Sequence, residues 1–280
     1  MNVLLLRFDA PLMSFGDVIV DQHNVTDRFP RLSLLTGLLA NALGYGTSAV
    51  SPAHAGIDLR WVIGTATSKR FPRECGDRPA LGYRHGDAEA LEALQARIEF
   101  AARWDVAPTA LVDYHTVDLG QPKMAGAGWT TRGVPEHRSG GPDAKLGTHI
   151  RYRHYWANGV MTVALTLTGA DEPSVSTMAA ALREPARPLF LGRKTCLPAA
   201  PVLRAMVEAP DVLAALRQAP PETHAGRKVE ITASACWPVQ LGVELPSRVV
   251  AVYDQRDWRN QIHTGRRLRR EGLLHTQEAG

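Results

Sequence analysis

One stretch near the start of the chain, residues 28–44, constrains the fold more than any other. Pro30 interrupts any strand before it, Ser33 has the hydroxyl of a typical N-cap residue, and Gly44 is a typical C-terminal stop. Between them lies a broad apolar stripe at helical spacing, formed by Leu34, Leu35, Leu38, Leu39, Ala42 and Leu43. The stretch therefore predicts a helix that starts at Ser33 and buries one face in a core.

The entrance to this helix is basic, because Arg28 and Arg31 precede its first turn. The free amide groups and the dipole of a helix N-terminus favour an anion, so this entrance is a candidate phosphate site. An ordinary core helix with solvated arginines at its start explains the same pattern. The stretch by itself leaves both interpretations open.

The distribution of charge also points to an anionic partner. The chain has 280 residues and a net charge of only +4. Six arginines and one acid lie between residues 256 and 270, and basic residues are concentrated again between residues 113 and 160. Nucleic acid is a typical partner of such clusters, and a solvated basic face is the alternative.

Composition argues against several other classes. The sequence has no run of about 18 or more apolar residues, so we expect no membrane span. Residues 2–8 have the pattern of a buried strand and not that of a signal peptide. The three cysteines, Cys75, Cys196 and Cys236, are widely spaced and show no zinc pattern. We therefore predict a cytoplasmic protein without a metal or other cofactor.

The order of the predicted elements indicates an α+β fold. We predict helices at 33–43, 87–97 and 174–183, and strands at 2–8, 98–104, 111–117, 148–156, 159–167 and 189–194. The Asn158-Gly159 pair predicts a hairpin between strands 148–156 and 159–167. This order is typical of a ferredoxin-like (RRM-like) domain, which we place at 1–198, with a small β-rich C-terminal region at 199–280.

Residues 118–147 depart from this pattern, since seven of the thirty are glycine and three are proline. Excursions of this length from a compact domain are usually functional or disordered. Trp129, Thr130, Thr131 and Arg132 place an aromatic ring, two hydroxyls and a cation there, a combination suited to RNA.

Two further segments are candidate contacts for a polyanion. Alternation in strand 148–156 places His149, Arg151, Arg153 and Tyr155 on one face, and Ile150, Tyr152, His154 and Trp156 on the other. Arg193 and Lys194 follow a predicted strand, where they form either an anion nest or a simple basic turn.

Catalysis is the alternative function. His115 and His149, with Tyr114 and Tyr155, contain the groups of a metal-independent acid–base site for RNA cleavage. Lys123 or Lys194 would stabilise the developing charge on the phosphate. Histidines that are hydrogen-bonded within strands, or that contact phosphates, explain the same residues.

Several blocks in chain order resemble one known family. They read LLLR at 4–7 and PLMSFG at 11–16, RFP at 28–30 and SLLTGLL at 33–39, GWTTRG at 128–133, RYRHY at 151–155, and PLFLGRKTC at 188–196. Together they resemble the CasD family, the subunit that binds the 5′ handle of the guide RNA (crRNA) in the type I-E CRISPR complex Cascade. The arginine-rich tail resembles the C-terminus of the family more loosely.

The resemblance implies a ferredoxin-like RAMP domain with a protruding β-hairpin thumb at 118–147. It implies a non-catalytic subunit that holds the 5′ handle of the crRNA and caps the backbone filament. Its expected partners are the backbone subunit and the large target-reading subunit. Type I-C relatives cleave precursor RNA, which keeps an endoribonuclease that uses His115 or His149 as the alternative. The residues expected to contact RNA are Arg28, Arg31, Ser33, Lys123, Trp129, Thr130, Thr131, Arg132, His149, Arg151, Arg153, Arg193 and Lys194.

Residues 46–83 depart from the family pattern. The tetrapeptide at 42–45 recurs at 80–83, so deleting the segment joins the first predicted helix directly to the second. Residues 51–58 and 71–78 can be encoded by one repeat DNA with inverted arms that is read in two frames. We predict an inserted surface loop that derives from a CRISPR repeat, and chance similarity in a GC-rich gene is the alternative.

Overall fold

The computed structural model describes residues 1–17, 23–45, 85–118, 128–129, 135–136, 148–223, 228–260 and 262–275. The helices within these ranges are α1 (Leu32–Leu43), α2 (His85–Arg97), α3 (Val175–Arg183) and α4 (Val212–Gln218). The strands in the first half are β1 (Asn2–Asp9), β2 (Leu12–Met13), β3 (His23–Asn24), β4 (Ile98–Val106), β5 (Thr109–Asp118), β6 (Gly128–Trp129) and β7 (Pro135–Glu136). Those that follow are β8 (Thr148–Ala157), β9 (Val160–Leu167), β10 (Leu203–Glu208), β11 (Thr232–Pro238), β12 (Ser247–Asp257) and β13 (Ile262–His275).

Seven of these strands form one sheet in the order β10-β1-β9-β4-β11-β13-β12, and all neighbours are antiparallel. Helices cover both faces. Leu4 and Leu6 of β1 share a core with α1 and α3, whereas Val3 and Leu5 share another core with α4. Because β1 is buried on both faces, its sequence reads as a continuous apolar run. The fold is thus a mixed α+β fold around a mostly antiparallel sheet, as the sequence predicted.

A second, smaller sheet stands beside the first. Its strand β8 pairs with β5 on one side and with β2 and β3 on the other. The β5–β8 pair stays in register over ten residues, from Thr109 opposite Ala157 to Asp118 opposite Thr148. This pair, here called the stem, leads into the predicted thumb. Only β6 and β7 are described within 119–147, and they pair with each other.

The predicted hairpin between 148–156 and 159–167 is wrong. Strand β8 belongs to the smaller sheet, whereas β9 lies between β1 and β4 in the larger one. The Asn158-Gly159 turn therefore passes the chain from one sheet to the other. A Cβ on Gly159 would lie 2.6 Å from the Trp104 ring and 2.8 Å from Pro108, so this passage is too tight for a side chain.

Other elements agree with the sequence to different degrees. The predicted helices are all present, and Ser174 caps α3 by accepting a hydrogen bond from the Thr177 amide at 3.1 Å. The strand predicted at 189–194 is absent, because this segment forms bends and turns that pack against other loops. The boundary at 198 remains a prediction, and the large sheet runs across it, since β10 pairs with β1 and β11 with β4. Within the described ranges, no helix is long and apolar enough to span a membrane.

Candidate nucleic-acid interface

The start of α1 differs from the expectation. The helix begins at Leu32, so Arg31 is the N-cap residue and Ser33 lies inside the first turn. The acceptor that a serine would supply comes instead from β12, where Asp254 Oδ2 accepts from the Leu32 amide at 3.0 Å. The predicted Ser33 cap is therefore wrong, because a carboxylate distant in sequence occupies that position. Gly44 ends the helix with a φ of 77°, as predicted.

Asp254 is fully buried, and besides capping α1 it forms an ion pair with Arg267. The Arg267 guanidinium donates to it through two nitrogens, at 2.6 and 3.2 Å. The amides of Leu34 and Leu35 both donate to the Arg31 carbonyl. The donors at this helix start are thus largely used within the protein, which weakens the case for a phosphate at this point.

The two arginines at the entrance have different environments. Arg31 is 5% exposed; its guanidinium pairs with Asp17 and Asp27 and donates to the Tyr253 carbonyl at 3.2 Å. Arg28 is exposed, and its guanidinium carbon lies 5.8 Å from the centre of the Phe29 ring. Arg31 therefore connects the loop before α1 to β12, whereas the side chain of Arg28 is exposed to solvent. RNA contact at either residue remains a prediction.

A groove of about 430 Å³ lies along one face of α1. Ser33, Gly37 and Asn41 line it at intervals of four residues, which places them on the same side of the helix. The opposite walls come from the β1–β3 loops, the bend before Cys196 and the end of β12, and include Ser14, Asp17, Asn24, Gly192, Arg193, Arg256 and Trp258. We call this feature the α1 groove. Ser33 thus reaches the candidate site, although not as a cap.

The bend at residues 192–194 contains two basic residues, Arg193 and Lys194, whose environments differ. A Cβ on Gly192 would lie 1.7 Å from the Ser14 carbonyl oxygen, and its φ is 114°, so only glycine fits there. Arg193 donates to the carbonyls of Asn24, at 2.8 Å, and His154, at 3.2 Å, and its guanidinium lies 4.6 Å from the Tyr155 ring centre. Arg193 therefore joins three segments beside the groove, while Lys194 remains exposed.

The stem carries the remaining predicted residues that the structure describes. Arg151 and Arg153 are half-buried on β8, opposite His115 and Asp113 of β5 in the register. His115 contacts the Asp113 carboxylate through its Nε2. His149 lies opposite Val117, which puts its register position on the same side of the stem as His115.

Several predicted contacts cannot be placed in the same way. Lys123, Thr130, Thr131 and Arg132 lie outside the described residues. Trp129 and His149 are described only by their backbone, in β6 and β8. The segment 46–83 also lies outside the described residues.

The arginine-rich tail forms part of the sheet. Strand β13 contains Arg267 and Arg269, and Arg269 pairs with Asp27 at 2.8 Å and Glu271 at 2.6 Å. Burial would raise the pKa of Glu271, but hydrogen bonds from Arg248 and Arg269 outweigh it and hold that pKa below its ordinary value. Two of the six arginines of the tail, Arg267 and Arg269, therefore neutralise buried carboxylates, and their charge is not available to a polyanion.

Sequence reasoning missed the carboxylates Asp27 and Asp254, which set the geometry of the α1 entrance. It also missed His23, whose two-residue strand β3 pairs in parallel with β8 opposite Tyr152. These residues come from separate parts of the chain and carry no local motif. The one relevant signal in the sequence was the excess of arginine over acidic residues between residues 256 and 270, which indicates that some of these arginines pair with acids elsewhere in the chain.

Comparison with known proteins identifies the family. The profile of the family described as "CRISPR-associated protein (Cas_Cas5)" matches residues 3–73 and 78–270. The chain therefore belongs to this family of CRISPR-associated proteins, as its resemblance to CasD indicated. The CRISPR system Cascade subunit CasD of Escherichia coli (strain K12) is 26% identical over 223 residues, which are 77% of this chain and 75% of that protein.

Two solved structures share the fold. One, titled "CRISPR RNA-guided surveillance complex", contains a chain that is 22% identical with a TM-score of 0.58; the match covers 99% of this chain and 90% of that one. Another, titled "Crystal structure of Cas protein", is 21% identical with a TM-score of 0.55 and coverage of 98% and 95%. Both support the mixed α+β architecture described above.

Proposed function

We propose that this protein is a non-catalytic RNA-binding subunit of a cytoplasmic CRISPR surveillance complex of the Cascade type. It holds the 5′ handle of the crRNA and caps the backbone filament, with the backbone subunit and the large target-reading subunit as its neighbours. The family match over most of the chain carries the proposal. The E. coli relative, a Cascade subunit, and the structure of a CRISPR RNA-guided surveillance complex give its context.

The sheet order supports a ferredoxin-like RAMP domain within this fold. Strands β1, β4, β9 and β10, with α1 and α3 between them, follow the order strand, helix, strand, strand, helix, strand. In the sheet they lie as β10-β1-β9-β4, with each neighbour antiparallel. This is the arrangement of a split βαβ fold, whose helices lie on one face.

The α1 groove is the proposed place of the handle. It combines polar side chains (Ser33 and Asn41) with an indole from Trp258, and exposed Lys194 adjoins Arg193 on its rim. Hydroxyls and amides suit phosphates, sugar hydroxyls and base edges, and cations beside them suit the backbone of a single strand. The stem rises next to the groove and leads toward the predicted thumb.

RNA binding by the full chain tests the proposal. Labelled single-stranded repeat RNA should bind, and the logarithm of the binding constant should fall linearly with the logarithm of salt concentration, by roughly 0.7 per neutralised phosphate. Gly37→Leu should fill the groove and weaken binding. Gly37→Ala is the matched control, because its Cβ would meet only Trp258, at 4.0 Å, and should leave binding unchanged.

Surface charge needs its own control. Arg28→Ala should weaken binding and reduce the salt slope, whereas Arg217→Ala should change neither. Arg217 is also exposed, but it lies on α4, which packs on the opposite face of the sheet from α1. Equal effects of the two substitutions would show that the protein binds RNA through diffuse charge and not through this face.

The same RNA tests the non-catalytic part of the proposal. Intact RNA should be recovered after incubation in the presence of a chelator. Metal-independent cleavage that disappears in His115→Ala or His149→Ala would replace the proposal with the endoribonuclease.

A further inference from the structure

Three aromatic rings form a row across the smaller sheet. His23, Tyr152 and Tyr114 lie on the neighbouring strands β3, β8 and β5, and each is the register partner of the next. The rings of His23 and Tyr152 are stacked, with centres 4.7 Å apart and planes 8° apart. The Tyr114 ring follows at 5.4 Å from Tyr152, tilted by 57°. We call these three residues the aromatic row.

The two ends of the row, His23 and Tyr114, are open to solvent, unlike the aromatic residues of the core, and Tyr152 between them is half-buried. Tyr114 is 53% exposed and His23 is exposed, whereas Tyr155 on the opposite face of β8 is 3% exposed. Exposed rings add little to the hydrophobic core, because burial of apolar area is the source of that stabilisation. Core packing therefore does not explain why three rings are aligned at this position.

The row is continuous with the α1 groove. Asn24 follows His23 directly in β3 and lines the groove. Arg193, another groove residue, donates to the Asn24 carbonyl and to the carbonyl of His154 in β8. Strand β3 thus borders both features, with Asn24 at the groove and His23 in the row on its other face. Because β3 pairs only with β8 among the described strands, a strand of RNA that leaves the groove around the edge of β3 would reach the rings.

The chemistry of the row favours a nucleobase over an apolar protein segment. The rings at its two ends, an imidazole and a phenol, present an aromatic surface with polar edges in place of an aliphatic one. Planar bases stack on such rings regardless of sequence. We propose that the aromatic row is a stacking platform for an unpaired base of the RNA that occupies the α1 groove. This inference rests on the proposed function and adds to it a site that holds the base.

Fluorescent RNA tests the platform directly. In repeat RNAs that carry 2-aminopurine at one position each, stacking quenches the fluorescence of the base that lies on the row. We expect quenching on binding at one or two adjacent positions, lost in Tyr114→Leu and retained in Tyr114→Phe. Tyr114→Leu should weaken binding by about 5-fold or more, as expected for the loss of one stacked base. Because Tyr114 is exposed, these variants should unfold at the wild-type temperature, which circular dichroism checks.

The outcomes separate the two proposals. Normal RNA binding with no position sensitive to Tyr114→Leu or His23→Ala would overturn the platform and leave the proposed function standing. Equal binding by the Leu and Phe variants, with a loss only in Tyr114→Ala, would indicate an apolar contact and would also overturn the platform. Absence of RNA binding by the wild-type chain would overturn both.

Discussion

Replacing Asp254 with alanine removes the two interactions that anchor the start of α1 to β12. The Leu32 amide loses its acceptor, which costs about 1 kcal/mol for a helix cap. Arg267 loses its partner, and breaking a buried pair costs about 3–5 kcal/mol when the remaining charge stays buried. Arg267 is 21% exposed and lies 5.0 Å from the Phe100 ring centre, so water and the ring recover part of this loss. We therefore expect the free energy of unfolding to fall by about 3 kcal/mol in total.

Denaturant unfolding of the full chain measures this loss, provided that the dependence on denaturant is unchanged. Asp211→Ala is the matched control, because Asp211 caps α4 by accepting from the Ala214 amide at 2.7 Å. That variant should lose only about 1 kcal/mol. Asp254→Asn keeps an acceptor for the Leu32 amide but not the charge, and should fall between the two. An Asp254→Ala variant no less stable than Asp211→Ala would refute the argument that the ion pair anchors the helix.

Three further outcomes are expected. Gly192→Ala should lower the free energy of unfolding by about 3 kcal/mol or more, because the new Cβ would overlap the Ser14 carbonyl and φ at this residue is positive. Urea unfolding measures this loss, and an unchanged free energy of unfolding would contradict the geometry. Burial raises the pKa of the Cys236 thiol from 9.0 to about 12, so stability should fall as pH rises from about 9 to 12. In that range the thiol ionises in the unfolded state before it does so in the folded state, which favours unfolding. In Cys236→Ala the free energy of unfolding should therefore fall less over the same pH range. Deletion of 46–83 should leave a folded protein, because Tyr45 after α1 already packs against Ala88 and Leu91 of α2, so the two ends that the deletion joins lie close together. Aggregation of the deletion variant would contradict this prediction.

Local pattern accounts for α1, α2 and α3 and for the strands β1, β4, β5, β8 and β9. Leucines at helical spacing before Gly44 determine α1, and Ser174 marks the start of α3. Both signals act through neighbouring residues, so they can be read without knowledge of the tertiary contacts. Resemblance of ordered blocks then identified the family, although no single block did so.

The partners of those elements depend on contacts distant in sequence. Asn158-Gly159 is a strong hairpin signal, yet ten paired residues of β5 take β8 into another sheet. Arg31 has the appearance of a solvated cation, but Asp17 and Asp27 bury it. Neither residue type nor spacing reveals which acid will lie beside which arginine, because that depends on how the strands are ordered.

The sequence by itself therefore determined three of the four described helices, the strands β1, β4, β5, β8 and β9, the α+β class and the family of this protein, since these follow from periodicity, turn residues and ordered motifs. Tertiary structure alone decided the strand order, the burial of Arg31 by its acids, the α1 groove and the row of His23, Tyr152 and Tyr114. Each of these requires side chains from three or more separate segments to meet. Such meetings are fixed by sheet order and packing, which no local stretch encodes.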